Sequence, residues 1–119
     1  MKANIRNRTE KFKEDITCAE AFIEGNPMKG KDREVRTDGH TVTAFLHRHK
    51  VLSREDGSVT VYGDAICTRK TCRFINRMLL PLTGFRVESR NGRWMVRNMK
   101  DMKTRRVHAG TEMPLPVLV

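Results

Sequence analysis

Aromatic residues, cysteine and long apolar runs are scarce in this chain, and acidic residues are scarce over one part of it. Each shortage excludes something. One Trp, one Tyr and five Phe among 119 residues leave the apolar payload to Leu, Ile, Val and seven Met, a mixture that fills a small core adaptably. The three cysteines, Cys18, Cys67 and Cys72, are odd in number and none lies in a Cys-x-x-Cys. That argues against a disulfide framework and suits a reducing compartment. No run approaches the roughly 18–20 apolar residues of a membrane helix. The first residues, Met1-Lys2-Ala3-Asn4-Ile5-Arg6, lack the apolar segment of a signal peptide, so a cytoplasmic protein is expected. Catalytic signatures are also missing. There is no Gly-rich phosphate loop, no His-x-x-x-His pair and no Gly-x-Ser-x-Gly elbow. The expectation is a protein that is not an enzyme and carries no cofactor.

The shortage of acid is the most informative of these. Residues 64–106 hold twelve Lys/Arg against three Asp/Glu, whereas residues 1–63 hold twelve against ten. Most of the net charge of +10 therefore sits in one stretch. Such a field attracts polyanions over about a Debye length. A metal-dependent nuclease would need several carboxylates to hold its metal, and that stretch is nearly devoid of them.

Length and composition predict one domain over 1–119, with residues 1–8 frayed and residues 99–119 an irregular basic stretch followed by an apolar tail. Thr9 reads as a helix N-cap. Phe12, Ile16, Ala19 and Ile23 recur at helical spacing, and Gly25-Asn26-Pro27 ends that helix. Residues 29–39 read as a charged loop. Strands are expected over 41–47, 51–54 and 58–62, the last two joined at the Asp56-Gly57 turn signal. Thr68 opens a second helix, with Ile75, Leu79 and Leu82 on its apolar side and Pro81 and Gly84 closing it. Residues 85–90 and 93–97 flank Asn91-Gly92, which favours a two-residue type I′ turn. That loop sets Val87, Ser89, Trp94 and Val96 on one face, with Trp94 in the core. Arg86, Glu88, Arg90, Arg93, Met95 and Arg97 fall on the other. The fold class expected is α+β: an antiparallel sheet of two or three strands plus a C-terminal hairpin, with two helices packed on it.

The segment Thr68-Arg69-Lys70-Thr71-Cys72-Arg73-Phe74-Ile75-Asn76, followed by Gly92-Arg93-Trp94, resembles a loose group of small bacteriophage-encoded proteins. These carry a Thr-x-Thr-Thr-x-x-Arg-apolar-Asn segment entering a helix and then a hairpin ending in Gly-x-Trp. The likeness spans roughly residues 37–98, and Thr68, Thr71, Ile75 and Asn76 match. Lys70 stands where the group has Thr, and Phe74 where it often has Arg. The resemblance implies origin and fold rather than chemistry, because most such proteins have no known activity. It implies the host cytoplasm as the setting.

Arg69, Arg73 and Arg77 follow one another at i, i+4 and i+8 with Lys70 adjacent, and so form one helical ridge. Arg86, Arg90, Arg93 and Arg97 add the basic face of the hairpin, with Glu88 the one carboxylate among them. The planar fork of arginine suits phosphate and stacks on bases. These eight residues are the candidate nucleic-acid-binding set for DNA or RNA. The alternative is an effector whose basic face and apolar tail bind an acidic host protein. His47, His49, Cys67 and Cys72 are weighed as zinc ligands, but the Cys-x4-Cys spacing is unusual and Arg48 repels a cation. No metal is expected. Thr68 and Thr71 place hydroxyls at a helix N-terminus, where capping accounts for Thr68 and an anion is the other possibility.

Overall fold

The computed structural model describes the backbone of residues 2–63, 68–108 and 110–118, with side chains from residue 13 onward. Among the described residues the order is α1 (Lys2–Glu24), β1 (Met28–Lys29), β2 (Arg33–Asp38), β3 (Thr41–Leu46), β4 (His49–Glu55), β5 (Ser58–Tyr62), α2 (Arg69–Thr83), β6 (Phe85–Arg90), β7 (Arg93–Asn98), β8 (Thr104–Val107) and β9 (Glu112–Pro116).

Helix α1 stops where Gly25 takes φ +80°, a conformation glycine adopts without a Cβ penalty. The Asn26 N–H then donates to the Ala21 carbonyl at 2.8 Å, the six-to-one closure of a Schellman ending. Arg54 on β4 reaches the same end and donates to the carbonyls of Phe22 (3.0 Å) and Ile23. A cation there matches the negative pole of the helix. Helix α2 begins at Thr68, whose hydroxyl accepts from the Thr71 N–H at 3.1 Å.

Two antiparallel sheets form. The larger has the order β1-β2-β3-β4-β5-β9 and the smaller β6-β7-β8. In the larger sheet, register places Val35, Ala44, Leu52 and Val61 in one row. Their side chains are buried under the helices. Helix α2 also packs on β6, so it serves both sheets. Phe22, Phe74, Leu52, Ile75, Met78 and Leu79 are all under 2 % exposed and join Val87 and Trp94 in one continuous cluster. Burying each large apolar side chain stabilises the fold by about 1.5–3 kcal/mol.

The sheets overturn the expected fold class. In place of two or three strands plus a hairpin there are nine described strands in two sheets. Residues 29–39 are not a loop, because β1 and β2 pair there. Their inward positions are Met28, Arg33 and Val35, and an inward arginine, only 11 % exposed, hides the alternation. Arg33 belongs inside because Asp15 of α1 pairs with it and its guanidinium carbon lies 5.4 Å from the Phe74 ring centroid. Residues 99–119 contain β8 and β9. Strand β9 accepts Pro114 and Pro116 because the N–H of Val117, in step with Met113 and Leu115, points inward to Gly57 (3.0 Å). The two prolines therefore face outward, where no donor is needed. Helix α1 starts well before Thr9 and is buried on Cys18, Ala19, Ala21 and Phe22, while Ile16 and Ile23 are half-buried flanks. Wedged between sheet and α2, it buries a broader stripe than one surface contact needs. A Cβ at Gly63 would collide with the His108 carbonyl. The end of β5 therefore runs directly against the β8–β9 connection.

Candidate nucleic-acid interface

The Asn91-Gly92 turn sets the hairpin as its sequence predicts. Arg90 pairs with Arg93, Ser89 with Trp94, Val87 with Val96 and Arg86 with Arg97. Trp94 is 5 % exposed and faces the core.

Asn76 joins the helix to this hairpin. Its Oδ1 accepts from the Val87 N–H at 2.7 Å and its Nδ2 donates to the Val87 carbonyl at 3.0 Å. The side-chain amide thus occupies the place of a neighbouring strand along β6. Arg69 and Arg73 precede Asn76 on the same side of α2, since steps of three and four residues return to one face. A depression of about 350 Å³ results, into which Arg69, Arg73, Arg86 and Arg90 converge beside Glu88 and Ser89. The ridge and the hairpin face meet along this cleft, and Arg93 extends it through its pairing with Arg90.

Glu88 lies among the arginines, but Arg97 holds it. The Arg97 Nε donates to one carboxylate oxygen at 2.7 Å and an η nitrogen to the other at 3.2 Å. This bidentate hydrogen bond, more than the surrounding charge, holds the Glu88 carboxyl below its ordinary value and raises Arg97. Arg97 also donates to the Met102 carbonyl at 3.1 Å, and its side chain is 16 % exposed against 45 % for Arg86 and 60 % for Arg90. Arg97 therefore organises the face, while Arg86 and Arg90, 3.7 and 3.8 Å from Glu88, present their donors to solvent. Arg77 and Lys70 are exposed on α2 and Arg93 on β7.

The first turn of α2 contains Arg69 and Lys70 and no acid. Cations at a helix N-terminus oppose its dipole, at about 0.3–1 kcal/mol each. The fold carries this cost together with the mutual repulsion of the cleft arginines. Arg106, opposite Met95 on β8, lies on the same face of the smaller sheet. Sequence reasoning missed it because four residues are too few to show alternation.

The other candidates separate. Thr68 caps α2, and its hydroxyl also lies 2.9 Å from that of Thr71, which is buried. Both hydroxyls thus serve the helix. His47 and His49 are exposed at the β3–β4 turn, Cys72 is buried in α2, and Cys67 lies outside the described residues. Among the described residues no three potential ligands cluster. Burial pushes the Cys18 thiol up to about 12, so it stays protonated and unreactive. No described helix is long and apolar enough to cross a membrane.

Comparison of the chain with protein-family models, with curated proteins and with solved structures finds no match.

Proposed function

We propose that this is a small non-enzymatic accessory protein of the phage type, which binds nucleic acid through its phosphates with little sequence preference. The supporting observation is the cleft in which Arg69, Arg73, Arg86 and Arg90 face one depression, while Arg97 holds Glu88, the single carboxylate that lines it among the described residues. Four guanidiniums beside one carboxylate, which Arg86 and Arg90 share with Arg97, form a charge-assisted donor set for phosphate oxygens. None is placed against a base-reading scaffold, so the contacts carry register rather than sequence. Displacing four to six counterions should make log affinity fall with log salt at a slope of about −4 to −5 on duplex DNA. Titrating labelled duplex DNA and RNA at two salt concentrations tests this. Absence of binding at low salt refutes it.

One observation favours the alternative, an acidic host protein. Leu80, on the last turns of α2, and Met99 and Leu118, whose backbones reach the end of that helix, are exposed large apolar residues. There the Met99 N–H donates to the Gly84 carbonyl (3.1 Å) and the Leu118 N–H to the Leu82 carbonyl (2.8 Å). A pull-down from host lysate with and without nuclease separates the readings. A defined protein retained after nuclease favours the alternative.

A further inference from the structure

The arginine cleft leaves a second surface unused. The helices cover one face of the larger sheet, and on the opposite face register sets Lys29, Glu34, Phe45 and Lys50 in one row across β1 to β4. The Lys50 ammonium lies 5.7 Å from the centroid of the Tyr62 ring on β5. Arg36 lies on the same face, with its guanidinium carbon 4.5 Å from the Phe45 ring centroid. Glu34 fixes it sideways with two hydrogen bonds, 2.9 and 3.2 Å. The guanidinium is therefore a plate, supported below by a ring and at one side by a carboxylate, and its side chain is still 61 % exposed.

Two depressions share Arg36 and Glu34 as a wall. One, of about 560 Å³, extends to Lys31, Asp32, His47 and Arg48. The other, of about 450 Å³, extends to Pro27, Met28 and Thr37. Both volumes lie in the range of sites that take a small planar group. Lys29 borders both, and the larger one is also lined by Lys31, Arg48 and Asp32, whose carboxylate lies 3.9 Å from the His47 Nδ1. The β3–β4 turn that delivers Arg48 is itself costly. His47 and Arg48 hold φ of +49° and +69°, the two left-handed positions of a turn that suits Asn-Gly, and for arginine that conformation is an outlier.

We propose that this plate is a base-stacking site for single-stranded nucleic acid. One base lies on the open side of Arg36 and a neighbouring base in the adjoining depression, while Lys29, Lys31 and Arg48 meet the phosphates. A guanidinium plane stacks on a base as an aromatic ring does, and only an unpaired strand can splay its bases onto a sheet. The inference rests on the nucleic-acid reading above but uses different residues and a different part of the ligand.

The test compares three labelled probes at one salt concentration: a short oligothymidine, the same strand with abasic sites, and a duplex. The oligothymidine should bind at least about fivefold more tightly than its abasic counterpart, the lower bound for one stacked base. Arg36→Ala and Phe45→Leu should erase that difference and leave duplex binding unchanged, with an unaltered melting temperature for Arg36→Ala showing that the fold persists. Equal binding of the two single strands overturns the stacking site and leaves the arginine cleft standing. So does an equal loss on all three probes in Arg36→Ala. No binding of any probe at low salt overturns both readings. Tighter binding of polyglutamate than of the oligothymidine replaces the nucleic acid by an acidic protein.

Discussion

On the larger sheet every arginine at a structural position has its own partner. Arg33 has Asp15 and Phe74, Arg36 has Glu34 and Phe45, and Arg54 has the last carbonyls of α1. On the smaller sheet Arg86, Arg90 and Arg97 share Glu88, and Arg69 and Arg73 face them from α2. Similar side chains thus serve opposite ends. Where charge is matched it fixes geometry, and where it is left over it waits for a counter-charge from outside. Phe74 and Asn76, about 200° apart round α2, mark the two regimes on one helix.

The largest effects should follow from removing what each sheet rests on. Trp94→Ala should cost about 3–5 kcal/mol, as large-to-small core changes do, and urea unfolding measures it. Asp15→Ala should cost about 3 kcal/mol, because it strands Arg33 with little access to water. Asp15→Ala combined with Arg33→Met should recover most of that loss, and failure to recover would show that Asp15 acts otherwise than through Arg33.

A milder perturbation is acid. The Glu88 carboxyl titrates below its ordinary 4.5 in the folded protein, so its contribution is fully present above that value. It is lost as pH falls through the depressed value. Glu88→Gln should remove this part of the acid dependence and lower stability at neutral pH. Parallel melting curves at pH 7 and pH 3 check both.

The smallest effect on the fold should come from Arg73→Ala, within about 0.5 kcal/mol of neutral as for exposed surface changes. On duplex DNA the same change should weaken binding and flatten the salt slope by about one unit. A large loss of stability in Arg73→Ala would mean that Arg73 is partnered after all, and the contrast between the two sheets would fail.

Local chemistry was legible in the sequence, and the assembly of sheets was not. Asn91-Gly92 set the hairpin register because a two-residue turn leaves no freedom, and Thr68 and Gly84 bounded α2 because both ends carry cap residues, whereas Pro81, expected to help close the helix, lies inside its last turn. Strand β2 was hidden because its inward residue Arg33 is charged, and the sequence does not say that Asp15, eighteen positions earlier, lies opposite. Strand β9 was hidden by its prolines, which read as breakers until an edge position makes them harmless. Half of the cleft was legible as a helical ridge and half as a hairpin face. Their meeting depends on Asn76 reaching Val87, a contact between two elements that no periodicity announces. The plate of Arg36 on Phe45 needs the β2–β3 register, and that register is set by the turn at Gly39-His40 together with burial of Val35 and Ala44.

The outward prolines of β9 bear on how the protein behaves in a crowded solution. A six-stranded sheet ends in backbone groups able to recruit a strand from another molecule, and such recruitment seeds aggregates. Along the outer side of β9 the donors that recruitment needs are missing at Pro114 and Pro116, so an approaching strand finds acceptors without their matching N–H groups. Replacing both prolines by valine would leave the pairing with β5 intact and restore that row. The chain would then be expected to lose solubility at high concentration before it lost any stability as a monomer.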